Sequence, residues 1–162
     1  MDDSNIDSLM EAYNGLSTFA DVNPALNRIA LNRNIHAVIF SNGTQNMVST
    51  SVLRSPDLAP HSSIFRDLIT VDEIQRYKPT RTSYQHLAEK VGKKASQMNE
   101  IWLVSGNPFD IIGARSMGMH AIWIDRARKG WQDAAAPELH PTAIIHSLER
   151  LVDEIGIKGR SE

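Results

Sequence analysis

Two hydrophobic periods alternate along the chain. Leu9, Tyr13 and Leu16 follow helical spacing, with Asp3 or Ser4 placed as a cap and Gly15 as a breaker, which predicts a helix over about 5–15. Pro24 stands where a first helical turn tolerates proline, and Ala25, Leu26, Ile29, Ala30 and Leu31 continue the spacing, predicting a helix over about 23–33. The period then changes. Ile35-His36-Ala37-Val38-Ile39-Phe40 is a nearly continuous apolar run closed by Ser41-Asn42-Gly43-Thr44, the pattern of a buried parallel strand entering a turn. Similar runs at Leu68–Val71, Ile101–Val104 and Ala121–Ile124 also end in polar residues, and helical patterns lie at about 44–54, 80–92, 108–118 and 141–155. Such alternation predicts an α/β fold, a parallel sheet with helices on both faces.

Ligands of parallel sheets bind beyond the carboxyl ends of the strands, so the chemistry is sought in the residues that close each run. After the first run, Ser41 and Asn42 offer a hydroxyl and an amide beside free backbone N–H groups, an anion site; a plain helix cap at Ser41 is the bland alternative. After the second, Tyr77-Lys78-Pro79 leads into a helix carrying Tyr84. Lys78 is a candidate holder of negative charge, against the alternative of a solvated surface lysine. After the third come Ser105-Gly106-Asn107-Pro108-Phe109-Asp110, which place Asp110 near a helix N-terminus that favours its ionised form, with capping again the alternative. Three polar turns at three strand ends together describe a pocket.

Composition narrows the partners. The 162 residues carry 17 Lys+Arg and 19 Asp+Glu, a net charge of -2, and no cysteine, which excludes disulfides and gives no electrostatic reason to expect nucleic acid or an anionic membrane. No run approaches a membrane span and the first residues lack a signal-peptide pattern, so the expectation is a single soluble, cytoplasmic domain over 1–162 with a polar, frayed tail at 158–162. The Asn42-Gly43-Thr44 sequon has no consequence in that setting. His36, His86 and His120 show no metal-ligand spacing and are read as structural or surface residues. Trp102 and Trp123 are read as core, Met117 and Met119 as helix-to-strand packing. Trp131, after the basic loop Arg126-Ala127-Arg128-Lys129-Gly130, is a loop anchor or a cover for a pocket or interface.

Ser41-Asn42-Gly43, Tyr77-Lys78-Pro79 with Tyr84 six residues past the lysine, and Ser105-Gly106-Asn107-Pro108-Phe109-Asp110 resemble, in order and spacing, the second, third and fourth motifs of the haloacid dehalogenase superfamily. More narrowly they resemble those of the type II (S)-2-haloacid dehalogenases, from Leu9–Tyr13, similar to the last helix of that family's cap, to Ile122–Arg126. The resemblance implies a Rossmannoid core and a small 2-substituted carboxylic acid as ligand, with no metal and no other cofactor. It implies that Ser41 and Asn42 bind the substrate carboxylate and that Lys78 balances charge around an aspartate nucleophile. Residues matching Ser105, Asn107 and Asp110 hold the lysine and position water, and the tyrosine matching Tyr84 lines the site.

The family's nucleophile motif, an aspartate after the first core strand, has no match here: Asp2, Asp3 and Asp7 follow no apolar strand run. The expectation is therefore a core without its first strand and most of its cap, with residues 1–20 as a remnant of cap helix and linker. Loss of a covalent nucleophile costs many orders of magnitude in rate. Three readings stay open: a fragment or pseudoenzyme of a dehalogenase, a ligand-binding protein, or an enzyme turned to acid–base chemistry (isomerisation, elimination or cyclisation) with Lys78, Tyr84 and Asp110. The last is the leading expectation. The absent strand would sit between the runs at 35–40 and 101–104 and leave two unpaired edges, to be closed by direct pairing or by a segment of another chain, and the expectation is a homodimer with an apolar interface.

Overall fold

The computed structural model describes residues 17–133 and 136–158, so the helix expected over 5–15, the three early aspartates and the tail beyond Lys158 lie outside the described residues. Contacts gather the chain into two units, one ending at Thr70 and the other starting at Val71, and each unit has its own sheet.

In the first unit, helix α1 (Val22–Ala30) buries Ala25, Leu26 and Ile29 along one stripe and packs on a 3-10 turn at Ala59–Ile64. Strand β1 (Ala37–Ser41) runs parallel to β2 (Phe65–Thr70), with Ile39 opposite Leu68 and Ser41 opposite Thr70. A parallel pair needs a crossover, and helix α2 (Gln45–Arg54) supplies it. Thr44 caps α2 by accepting the Met47 N–H at 3.3 Å, and Val48 and Val52, one turn apart, are its buried residues. The unbroken apolar run predicted a buried β1, yet all five residues are only half-buried. Among the described residues β1 has a single ladder partner, β2.

The second unit holds helix α3 (Arg81–Lys90), strand β3 (Trp102–Ser105), helix α4 (Pro108–Ser116), strand β4 (His120–Ile124), strand β5 (Ala143–Ile145) and helix α5 (Leu151–Lys158). The strands form a parallel sheet in the order β3-β4-β5, and β4, flanked on both sides, is buried at all five positions. Proline at the first turn opens α4. Gly118, at φ +81°, takes the left-handed conformation that turns the chain from α4 into β4, a conformation that disfavours any residue with a Cβ. α4 packs on β3 and β4, and α3 packs on α4. Tyr84, Ile111, Met119 and Ile122 are fully buried, Met119 in the packing position expected of it.

The helix expected over 141–155 is a correction. Ala143–Ile145 is β5, tied in by the Thr142 N–H donated to the Ala121 carbonyl (2.7 Å) and the Ala121 N–H donated to Thr142 Oγ1 (3.0 Å). Helix follows only after a 3-10 turn at Leu148–Arg150. No helix among the described residues is long and apolar enough to cross a membrane.

Candidate active site

Lys78 lies on the turn that precedes α3. The Ser83 hydroxyl donates to the Arg76 carbonyl at 2.6 Å, which leaves the Thr80 hydroxyl to donate to Ser83 Oγ at 2.8 Å. With the Thr80 N–H on the Tyr77 carbonyl (3.0 Å), these bonds bracket the lysine on both sides; the Lys78–Pro79 peptide is cis. From this turn Lys78 Nζ donates to Asp110 Oδ2 at 2.9 Å, with 9% of the lysine side chain and 5% of the aspartate side chain exposed. A solvated surface lysine is thereby ruled out at this position.

Asp110 comes from the first turn of α4, where the helix dipole favours a negative charge. The tyrosine hydroxyl of Tyr84 donates to Asp110 Oδ1 at 2.8 Å and lies 3.2 Å from the Asp110 carbonyl. The two carboxylate oxygens are thus divided, one to an ammonium and one to a phenol. Burial, then the charge of Asp110 and its hydrogen bond, push the Tyr84 phenol far above the ordinary tyrosine range, so the hydroxyl keeps its proton and stays a donor. Asp110 serves this cluster rather than capping its own helix.

Ser105 and Asn107 lie on the loop between β3 and α4. Ser105 Oγ accepts the Asn107 N–H at 3.1 Å, and the Asn107 carbonyl accepts the Asp110 N–H at 3.1 Å, while the Asn107 side chain makes no cap and is exposed. The Trp123 indole N–H reaches the Gly106 carbonyl at 3.4 Å, and Trp131 stands edge-on to Trp123 at 5.1 Å between ring centroids. Trp131 is therefore an anchor of the loop after β4. That loop is nucleated by buried Asp125, whose carboxylate accepts the N–H of Gly130 (2.8 Å) and Lys129 (3.1 Å). Burial raises this carboxyl, but the backbone donors and the neighbouring His146 outweigh it and hold Asp125 below the usual carboxylate range.

Ser41 and Asn42 belong to the first unit. Ser41 ends β1 and its Oγ accepts the Gly43 N–H at 3.0 Å; Thr44, not Ser41, caps the helix that follows, so the bland alternative for Ser41 fails. The first unit also contains a cleft of about 490 Å³ lined by residues including Phe19, Asn23, Asp57 and His61, none of them an expected site residue. Among the described residues no three His, Asp or Glu side chains converge as metal ligands.

Sequence reading found Lys78, Tyr84 and Asp110, which the fold brings into one hydrogen-bonded cluster, but passed over Thr80 and Ser83. The Thr-Xaa-Xaa-Ser spacing after Pro79 was the available signal for both.

A family model for haloacid dehalogenase-like hydrolases matches residues 2–118. The chain belongs to the haloacid dehalogenase-like hydrolases. It is similar to (S)-2-haloacid dehalogenase 1 of Pseudomonas sp. (strain CBS-3), 30% identical over 144 residues that cover 89% of this chain and 60% of that protein. Haloacetate dehalogenase H-2 of Moraxella sp. (strain B) is 32% identical over 121 residues, 73% of this chain and 49% of the relative. Among solved structures, the L-2-haloacid dehalogenase RSc1362 superposes with a TM-score of 0.82 at 25% identity, covering 96% of this chain and 64% of that one. This haloacid dehalogenase-like chain therefore spans about half to three fifths of the length of the curated relatives it matches.

Proposed function

We propose that this chain carries the charge-balancing part of a hydrolytic site for small 2-substituted carboxylic acids, with 2-haloalkanoic acids as the substrate class. The observation behind this reading is Lys78, whose ammonium is held on Asp110 in a nearly dry setting, as a charge must be if it is to act on a second anion. The printed names of the relatives supply the substrate class.

Hydrolysis at a carbon bearing halide starts with a carboxylate attacking in line. A C–O bond forms as the C–halogen bond breaks, halide leaves with the electron pair, and water then cleaves the ester to give the 2-hydroxy acid and restore the carboxylate. In the proposed assignment Lys78 offsets the charge of the attacking carboxylate. Ser105 and Asn107 orient the water. Tyr84 is a positioning residue, because its one proton is committed to Asp110. Asp2, Asp3 and Asp7 follow no apolar strand run, so the assignment is of the groups that would surround such a nucleophile.

The test is titration of the 162-residue chain with (S)-2-chloropropionate, followed by NMR, together with halide release. The expected result is saturable binding that Lys78→Met weakens at least tenfold. Undiminished binding by that variant, or no binding at millimolar acid, overturns the site. Binding without halide release is what a site assigned only its surrounding groups should show, whereas halide release would place the attacking carboxylate within this chain.

A further inference from the structure

Gly113 lies in the interior of α4, one turn beyond Asp110 and on the same face of the helix. A Cβ built on it would meet Tyr84 Oη at 2.2 Å, and Cε2 and Cζ of the same ring at 2.5 Å. No real side chain tolerates such contacts, so the tyrosine ring lies directly against the bare backbone of α4. Helix propensity alone favours alanine at an interior position, and a glycine there gives up helix stability. The space it leaves is filled by Tyr84, which is fully buried.

We propose that Gly113 is a positioning residue of the site: its missing side chain is the slot that lets the Tyr84 hydroxyl reach Asp110, and so fixes the carboxylate that holds Lys78. This rests on the reading of Lys78 and Asp110 given above, and it adds a residue that touches neither the lysine nor the ligand. The chain of effect is short. Any Cβ at 113 displaces the ring, the phenol leaves Oδ1 at 2.8 Å, and the carboxylate loses one of its two side-chain donors.

The experiment is Gly113→Ala in the full chain, read by the Tyr84 hydroxyl proton in NMR and assigned by its disappearance in Tyr84→Phe. A phenol proton buried on a carboxylate exchanges slowly with water. In a folded Gly113→Ala protein the signal should vanish or exchange at least tenfold faster, whereas a signal unchanged in shift and exchange overturns the proposal. Should Gly113→Ala fail to fold, Gly113→Ala/Tyr84→Leu decides: the smaller side chain should restore a cooperative melt, and a double variant as unfolded as the single one overturns it. The readout is a proton inside this chain, so it succeeds or fails independently of halide release.

Discussion

Removing one partner of the Lys78–Asp110 pair should cost far more than removing both. At 2.9 Å and an effective dielectric near 20, the gross attraction is roughly 6 kcal/mol. Taking two ions out of water costs several kcal/mol each, so the intact pair contributes little net stability. A single truncation keeps one desolvation cost and forfeits the attraction. Asp110→Asn, which preserves shape and the acceptor for Tyr84, leaves the ammonium without its counter-charge, and Lys78→Met leaves the carboxylate with Tyr84 as its remaining side-chain donor of the two; each should cost about 3–5 kcal/mol. The double variant should cost no more than the worse single, a coupling at least as large as the smaller single cost, about 3 kcal/mol or more. Urea unfolding followed by tryptophan fluorescence isolates the right part of the molecule, because Trp102, Trp123 and Trp131, all three of the chain's tryptophans, lie in the unit that begins at Val71. The coupling should persist at about 1 M salt, where exposed pairs are screened. Costs that add to within about 0.5 kcal/mol would refute the reasoning and put Lys78 in water.

Other expectations follow from the same contacts. Tyr84→Phe removes a buried hydrogen bond to a charged acceptor and should destabilise the second unit by about 1.5–3 kcal/mol in the same urea assay. The raised phenol has a sign: the neutral hydroxyl stabilises the fold fully below the unfolded tyrosine value near 10, and that contribution is lost as pH rises above it, so Tyr84→Phe should flatten the alkaline limb of a melting-temperature profile. Asp125 has the opposite sign, because its carboxyl is lowered in the folded state. Its stabilisation is present above the unfolded value of about 3.9 and fades as pH falls through the folded one, so Asp125→Asn should be less sensitive to acid than the parent. Ile111→Ala, at a fully buried position of α4 one residue from Asp110, should cost about 2–5 kcal/mol by equilibrium unfolding.

What the sequence disclosed follows from the range of each interaction. Strand runs such as Ala121–Ile124 are legible because a strand buried on both faces has no polar positions to interrupt it, and β4 is buried throughout. β5 was not legible. Three residues show no period, Ile144 at its centre is 41% exposed, and Pro141 mimics the first turn of a helix. What makes Ala143–Ile145 a strand is the pairing of Thr142 with Ala121, 21 residues away, which no local pattern records.

The site divides along the same line. Lys78 and Asp110 were recognisable because their residue types stand just before one helix and in the first turn of another, and Tyr84 through the resemblance that its spacing from the lysine carries, but which partner each would choose was set by packing. A lysine, a tyrosine and an aspartate at those positions fit a surface charge, a core phenol and a helix cap equally well. Only the passage of α3 across α4 joins them, bringing Tyr84 to Asp110 over 26 residues and Lys78 to Asp110 over 32. Gly113 was invisible for a stronger reason. A glycine in a helical stretch reads as a local weakness, and its use appears only when the ring of Tyr84 occupies the volume its side chain would have taken. The geometry of this cluster thus rests on a vacancy in one helix as much as on the three polar groups that meet beside it.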